Sequence, residues 1–166
     1  MNKIFIALTF IICRNANCQT ASDYYTLGNN KHLIKEYKEA VKDYSKAIEL
    51  KPNFSKAYYS RALVENIQKE YKDALKDLSK VIEIDPKHSK AYYSRAATKS
   101  ILKDYNGAIE DYSKTIEIEP KFSKAYNDRA ELKFKLNQTE SGCIDLNKAA
   151  ELGYPYPFDY IKKRCK

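Results

Sequence analysis

The side chains that could do chemistry in this chain are few and are not grouped. One histidine, His32, falls within a predicted helix and the other, His88, falls at a turn, so both are interpreted as surface residues rather than bases. No Cys-x-x-Cys motif or Cys/His cluster is present, which argues against redox catalysis and a zinc site. The four glycines form no phosphate-binding loop. We therefore expect no enzyme activity, no metal and no cofactor.

A repeated segment, rather than a reactive cluster, organises the sequence. Ser-Lys-Ala-Tyr-Tyr-Ser-Arg-Ala occupies residues 55–62 and recurs unchanged at residues 89–96, and its first four residues return at 123–126. A fixed period of 34 residues is typical of stacked units in a solenoid. Function is then expected to come from a repeated surface rather than from a single cleft.

Composition and charge narrow the class of protein. The chain has 166 residues, is 43% hydrophobic and has few Gly and Pro, which argues against disorder. Its formal net charge of +8 is spread among interleaved acidic residues, as on a solvated surface. Together with the export predicted below, this pattern makes nucleic acid an unexpected partner.

The amino end has the features of an export signal. A basic start at residues 1–3 precedes the apolar run 4–12, which is too short to span a bilayer and has the length of a signal-peptide core. Small residues Ala16 and Cys18 favour cleavage after Cys18, leaving Gln19 first and a net charge of +6 once Lys3 and Arg14 are lost. We predict a signal peptide at residues 1–18 and an exported, periplasmic or secreted, protein. Alternatives are acylation at Cys13 or Cys18 and an uncleaved anchor.

Cleavage would leave an even number of cysteines, Cys143 and Cys165. An oxidising compartment would allow these two to form a disulfide. The alternative is a pair of buried free thiols.

Proline divides the chain into units. Pro52, Pro86 and Pro120 fall near the ends of three successive 34-residue stretches, where each stops a helix. Ser55, Ser89 and Ser123 then stand where a helix N-cap is needed. The predicted units are residues 21–54, 55–88, 89–122 and a degenerate fourth at 123–153.

Each unit contains two helical patterns. In the second unit, apolar residues from Tyr71 to Ile82 follow an amphipathic helical spacing. The first helix of that unit has two apolar lines, one through Tyr58 and Ala62 and a second through Tyr59, Leu63 and Ile67. Packing against one neighbour uses only one of these lines.

These patterns resemble the tetratricopeptide repeat. In that family a 34-residue unit carries an aromatic residue, a small pair, a later Ala, an aromatic or apolar residue four positions on, and a closing Pro. The matching residues are Tyr24, Leu27, Gly28, Ala40, Tyr44, Ala47 and Pro52; Tyr58, Ala62, Ala74, Leu78 and Pro86; and Tyr92, Ala96, Ala108, Tyr112 and Pro120. The fourth unit departs from the pattern with Gly142 at the alanine position and no closing Pro. The resemblance implies an all-α, right-handed helix-turn-helix solenoid of about four units.

A closing element follows the fourth unit. Pro157 suits a helix start, and Phe158, Ile161 and Cys165 share one helical face. We predict a C-terminal capping helix within residues 154–166, which a Cys143–Cys165 disulfide would fasten to the second helix of the fourth unit.

Charged residues recur with the units. Asp43, Asp77, Asp111 and Asp145 share one site on the second helices, and Arg61, Arg95 and Arg129 share one on the first helices, where the first unit has Leu27. Because the first unit has the Asp without the Arg, we predict ion pairs between units: Asp43 with Arg61, Asp77 with Arg95 and Asp111 with Arg129. The alternative is that both groups are solvated.

The resemblance also implies a binding groove. First helices line a concave surface in the family, which explains the second apolar line. The predicted groove residues are Tyr25, Asn29, Leu33, Tyr59, Leu63, Ile67, Tyr93, Ala97, Ile101, Asn127, Glu131 and Lys135. A row of tyrosines suits the holding of another protein, although these rings could instead pack only between successive first helices.

The predicted function is a scaffold that binds a peptide or protein segment in this groove, with a partner of unknown identity. Two alternatives remain from sequence. A glycan-binding or enzyme-accessory protein would use the tyrosines as stacking platforms, and a self-associating structural protein would bury them against a second copy.

Overall fold

The computed structural model describes residues 20–156 and 159–165. The predicted signal at residues 1–18 lies outside the described residues, as do Pro157 and Phe158. In chain order the helices are α1 Ala21–Leu33, α2 Tyr37–Leu50, α3 Ser55–Ile67, α4 Tyr71–Ile84, α5 Ser89–Ile101, α6 Tyr105–Ile118, α7 Ser123–Lys135, α8 Thr139–Glu151 and α9 Tyr160–Arg164.

Consecutive helices form pairs that stack in sequence order. The pairs are α1 with α2, α3 with α4, α5 with α6 and α7 with α8, and the second helix of each pair packs on the first helix of the next. No strand occurs in residues 20–156 or 159–165. The fold is therefore the all-α helical solenoid that the period predicts. None of the helices described is long and apolar enough to cross a membrane.

The turn within each pair uses a left-handed residue that is not glycine. At the end of α3, the Lys69 N–H donates to the Asn66 carbonyl and the Glu70 N–H donates to the Glu65 carbonyl, which is the Schellman arrangement. An L-residue in this conformation carries local strain of about 1 kcal/mol. The residues in this position are Lys35, Lys69, Lys103 and Asn137, with φ of 63°, 64°, 65° and 59°.

Small residues lie where the helices of a pair cross. Ala62 and Ala74 are both fully buried in the second unit, beside Leu78. In the fourth unit Gly142 takes the alanine position, because a Cβ there would approach Phe134 Cε1 to 2.8 Å. The departure from the repeat pattern at Gly142 is thus explained by a large ring on the facing helix.

The predicted N-caps are wrong by one residue. Ser55, Ser89 and Ser123 are the first helical residues, and the N-caps are Phe54, His88 and Phe122. Among these three only His88 makes a side-chain cap, its Nδ1 accepting from the Ala91 N–H at 3.1 Å. The aromatic residues occupy this position because their rings pack on a tyrosine of the preceding unit, as described below.

The C-terminal segment lies on the fourth unit. Helix α9 contacts α8, and the Tyr156 and Tyr160 rings stack with centroids 5.4 Å apart. Cys143 in α8 and Cys165 after α9 have their sulfur atoms at bonding distance and their Cα atoms 5.7 Å apart.

The recurring Arg and Asp side chains pair within a unit, so the predicted pairing between units, Asp43–Arg61, Asp77–Arg95 and Asp111–Arg129, is wrong. In the second unit, Arg61 Nε and Nη2 donate to the two carboxylate oxygens of Asp77 at 2.7 and 2.8 Å. The facing helices of a pair are antiparallel and place residues 16 positions apart opposite each other. The equivalent pairs are Arg95–Asp111 and Arg129–Asp145.

A serine, rather than an aspartate, links each arginine to the preceding unit. Arg61 Nη1 donates to Ser45 Oγ at 2.8 Å, and Ser45 lies in α2. The same bond joins Arg95 to Ser79 and Arg129 to Ser113. In the first unit, where Leu27 replaces the arginine, Asp43 pairs with Lys31 at 2.6 Å.

One unit places an acid inside this network. Lys99 and Lys133 reinforce the pairs of the third and fourth units, at 2.9 Å from Asp111 and 2.8 Å from Asp145. The second unit has Glu65 at the same position, 5% exposed, 3.7 Å from Arg61 and with its Oε2 atom buried without a hydrogen-bond partner. Burial, followed by the nearby Asp77 carboxylate, raises the pKa of Glu65 to about 7.

Replacing Glu65 by Lys should stabilise the protein. The new ammonium group would meet Asp77 as Lys99 meets Asp111, and a buried carboxylate beside another carboxylate would be removed. In the folded chain Glu65 keeps its proton up to about pH 7, whereas in the unfolded chain it loses it near pH 4.5. Wild-type stability from this group therefore falls as pH rises from 4.5 to 7. We expect the variant to gain on the order of 2 kcal/mol in free energy of unfolding at pH 8, and less at pH 5.

Urea unfolding at several pH values measures this difference. The matched control is Lys99→Glu, which creates the same arrangement in the third unit and should lower stability with the same pH dependence. A Glu65→Lys variant less stable than wild type at pH 8 would contradict the account.

Candidate functional site

The first helices form the inner side of the stack. Successive first helices contact each other directly, α1 with α3 and α3 with α5, whereas successive second helices are too far apart for comparable contacts in the described part of the chain. A stack whose first helices are closer together than its second helices curves toward the first helices. We call the surface of α1, α3, α5 and α7 on this side the inner face.

The three predicted groove tyrosines lie on the inner face but are only half exposed. Each ring packs on the aromatic N-cap that begins the next first helix. The ring centroids are 5.2 Å apart for Tyr25 and Phe54, 5.0 Å for Tyr59 and His88, and 4.9 Å for Tyr93 and Phe122. The tyrosine rings therefore join neighbouring units, as the alternative interpretation from sequence expected, and remain half-buried rather than buried.

Two tyrosine hydroxyls also reach the next unit. The Tyr59 hydroxyl lies 3.3 Å from the Ser94 hydroxyl, and the Tyr93 hydroxyl donates to Asp128 Oδ2. Burial and then this bond to Asp128 raise the pKa of Tyr93 above its ordinary value. Asn29, another predicted groove residue, accepts a bond from the Tyr44 hydroxyl at 2.9 Å. Much of the polar chemistry of this surface is therefore used inside the protein.

The most accessible apolar side chains of the inner face stand at the C-terminal ends of the first helices. Leu33 is 81% exposed, Ile67 49% and Ile101 56%. Leu63 and Ala97, which lie between these residues and the tyrosines, are half-buried. We call Leu33, Ile67 and Ile101 the aliphatic row.

Two of the predicted groove residues of the fourth unit, Asn127 and Glu131, are engaged inside the protein. The Tyr156 hydroxyl donates to Asn127 Oδ1 at 3.0 Å. Both oxygens of Glu131 accept bonds, from the Tyr160 hydroxyl at 2.8 Å and from Arg164 Nη2 at 3.0 Å. Asn127 and Glu131 thus hold the C-terminal segment.

Lys135, the last predicted groove residue, lies against the second helix of the third unit instead. Its Nζ lies 5.3 Å from the centroid of the Tyr105 ring, at the start of α6. Tyr156 lies 34 residues after Phe122, which is one repeat period. This spacing was the sequence signal that the C-terminal segment packs on the fourth unit as each unit packs on the one before it.

A row of lysines on the inner face was missed by the sequence analysis. Lys56, Lys90 and Lys124 are exposed at the second position of α3, α5 and α7, on the helical face that carries the tyrosines. Lys124 Nζ lies 5.6 Å from the centroid of the Tyr93 ring. The signal was present in the repeated Ser-Lys-Ala-Tyr segment, whose lysine never varies. We call these residues the lysine row.

The isolated histidines are used in packing. His32 lies against Tyr37, with ring centroids 5.9 Å apart, and His88 caps α5. Within residues 20–156 and 159–165, no group of three or more His, Cys, Asp or Glu side chains could hold a metal ion.

Sequence comparison identifies the repeat. The profile of the tetratricopeptide repeat matches residues 55–88 and 89–122, and a second profile described as TPR repeat matches residues 28–65. No curated protein matches the sequence.

Solved structures resemble the fold. A crystal structure of MamA superposes with a TM-score of 0.80 at 23% identity, over 82% of this chain and 80% of that chain. The MamA 41-end structure from Desulfovibrio magneticus RS-1 gives 0.76 at 23% identity, over 81% and 76%. The first TPR of Spaghetti (RPAP3), bound to the HSP90 peptide SRMEEVD, gives 0.69 at 25% identity, over 73% and 96%.

Removing single tyrosine hydroxyls should show which inner-face tyrosines are held by a hydrogen bond to the next unit. Tyr93→Phe removes the hydroxyl that donates to Asp128 Oδ2, leaving Asp128 only the Asn127 amide as a donor, and should lower the free energy of unfolding by about 1–3 kcal/mol. Tyr59→Phe loses one contact between neutral hydroxyls and should cost about 1 kcal/mol or less. The control is Tyr25→Phe, because the Tyr25 hydroxyl makes no hydrogen bond to any of the described residues. Equal stability of all three variants in urea unfolding would contradict the geometry.

Proposed function

The chain belongs to the tetratricopeptide-repeat family, and from this premise we propose that its inner face holds a peptide or protein segment of a partner. The observation that carries the proposal is the aliphatic row, three large apolar side chains that are about half or more exposed at a constant period beside half-buried tyrosine rings. Large apolar side chains exposed in a repeated row favour a partner surface. The Spaghetti domain, bound to a peptide, supports the same use of the fold.

The chaperone peptide of that relative is not the partner we propose. Branches of the family that hold chaperone C termini use Lys, Asn and Arg in the groove. Here the lysine row supplies basic residues only at the helix starts, Tyr and aliphatic residues occupy most of the other places, and Asn29 and Asn127 are bonded inside the protein. A different kind of segment is therefore favoured.

Neither alternative from sequence is favoured by a specific observation. Stacking on a sugar needs an open aromatic face, and the rings of Tyr25, Tyr59 and Tyr93 each already contact another aromatic ring. Self-association would need a complementary surface on the same chain, and the exposed sides of the second helices carry Lys–Glu pairs instead.

We also propose that the protein works outside the cytoplasm. The export features of residues 1–18 support this, and so does the bonding distance between Cys143 and Cys165, since stable disulfides form in oxidising compartments. Such a bond would keep the C-terminal segment on the fourth unit.

Export predicts two measurements on the native protein. Its mature N terminus should be Gln19, and Cys143 and Cys165 should resist thiol alkylation until a reductant is added. Oxidised wild type should be about 3 kcal/mol more stable than the Cys143→Ser, Cys165→Ser variant, and the two should be alike in reductant. An intact Met1 terminus with both thiols free would contradict the proposal.

Site-specific photo-crosslinking in the native host tests the binding function. A photoreactive amino acid at Ile67 or Ile101 should crosslink one discrete protein or peptide. The same group at Lys46 or Lys114, on the exposed sides of α2 and α6, should capture far less of it. Equal capture from both sides, or no capture from the inner face at native expression, would contradict the proposal.

A further inference from the structure

Most charges on the first helices are satisfied inside the protein. Arg61, Arg95 and Arg129 pair with aspartates of their own units, and Lys31, Lys99 and Lys133 do the same. The acids of the fourth unit are also engaged, since Asp128 accepts from Tyr93 and Glu131 accepts from Tyr160 and Arg164. Among the lysines and arginines of α1, α3, α5 and α7, those with no carboxylate within salt-bridge distance in the described residues are the lysine row and Lys135.

The lysine row therefore carries uncompensated positive charge along one border of the inner face. Lys56, Lys90 and Lys124 stand in the first turns of their helices, where the backbone N–H groups add partial positive charge. By contrast, the recurring lysines Lys46, Lys80 and Lys114 of the second helices each pair with a glutamate three residues on. On the inner face, the lysine without such a partner recurs at one constant position of three first helices.

The opposite border of the inner face is apolar. Ile67 lies 11 residues after Lys56 on the same helix, and Ile101 lies 11 after Lys90. At 1.5 Å per residue, the basic and apolar borders are separated by about 16 Å. The strip between them is made of half-buried tyrosines, Leu63 and Ala97. A partner that contacts both borders must be wide and must itself have two different sides.

We propose that the partner segment is an amphipathic α-helix, acidic along one side and aliphatic along the other, lying across the first helices. This inference rests on the proposed function and names its ligand. A helix with side chains is about 10–12 Å wide, so acidic and aliphatic side chains projecting from its two flanks reach both borders. A single extended strand presents alternate side chains up and down and would leave one border uncontacted.

The period of the lysine row sets the spacing of acids on the helix. Directly packed helices are about 8–10 Å apart, and successive lysines should be separated by about this distance. Two turns of a helix, or seven residues, rise about 10.5 Å. Acidic residues at i, i+7 and i+14 would then each face one lysine, with Leu, Ile or Met on the other flank facing the aliphatic row.

Selection from a displayed library of helical peptides tests the inference. The library keeps a 20-residue Ala-rich helical scaffold and randomises its two flanks, and the purified protein is the bait. We expect the selected peptides to carry Asp or Glu at seven-residue spacing on one flank and aliphatic residues on the other. Selected peptides that are basic, that gain helix-breaking prolines, or that alternate with a period of two would overturn the inference, and so would failure to enrich any peptide.

Charge reversal provides the matched measurement. For a selected peptide, Lys56→Glu, Lys90→Glu, Lys124→Glu together should raise the Kd at least tenfold at about 0.1 M salt, with a smaller effect in 1 M salt. The control reverses the same number of charges on the second helices, at Lys46, Lys80 and Lys114, and should change the Kd less than twofold. Ile67→Ser with Ile101→Ser should weaken binding at both salt concentrations, whereas Ile144→Ser on α8 should not.

The outcomes separate this inference from the proposed function. Inner-face crosslinking together with peptides that ignore the lysine row would overturn the acidic helix and leave the binding function standing. Absence of inner-face crosslinking would remove both. A short single-stranded RNA that binds through the lysine row and displaces the selected peptides without needing the aliphatic row would also overturn the inference, because it would assign those lysines to phosphate.

Discussion

The stack depends on one recurring interaction: in the second, third and fourth units, the arginine of the first helix is held by the aspartate of its own second helix. Arg61 is 19% exposed and Asp77 5%, so both charges have lost most of their water. The bidentate geometry and the third bond to Ser45 compensate that loss by satisfying the guanidinium on three of its nitrogens. The same group therefore fixes how the two helices of a unit pair and how that unit sits on the preceding one. Its guanidinium group also lies over the Tyr58 ring, with Cζ 5.6 Å from the ring centroid.

The period predicted the fold but could not decide which Arg and Asp meet. Asp43 and Arg61 are 18 residues apart and Arg61 and Asp77 are 16 apart, so both pairings have the same repeat and nearly the same spacing. The missing arginine in the first unit was interpreted as favouring pairing between units. The structure has another reason for it, because Lys31 replaces the arginine from one turn further along α1. Periodicity gives positions on a helix face, whereas a contact depends on how two helices are rotated about their axes.

Some features of the candidate site could be predicted from the sequence, and others could not. Helical spacing placed the tyrosines and the aliphatic row on one helical face, because both follow from 3.6 residues per turn. It could not separate a ring that packs between units from one that faces solvent, since Tyr59 has both roles. Nor could it foresee that Glu131 would be engaged by residues about 30 positions later. The lysine row was overlooked because a lysine at an exposed helix start looks unremarkable until the pairing of every other charge is known.

The two ends of the stack are not equivalent in how firmly they are held. The first unit joins its helices through one Lys31–Asp43 contact in place of a bidentate arginine. The last unit is covered by the C-terminal segment, with Cys165 against Cys143 and Arg164 4.5 Å from the Phe134 ring centroid. Stability in a linear array is a sum of neighbour contacts, so unfolding should proceed from the amino end. The two ends therefore differ in their resistance to force, and pulling on them would unfold the units one at a time, beginning with the first.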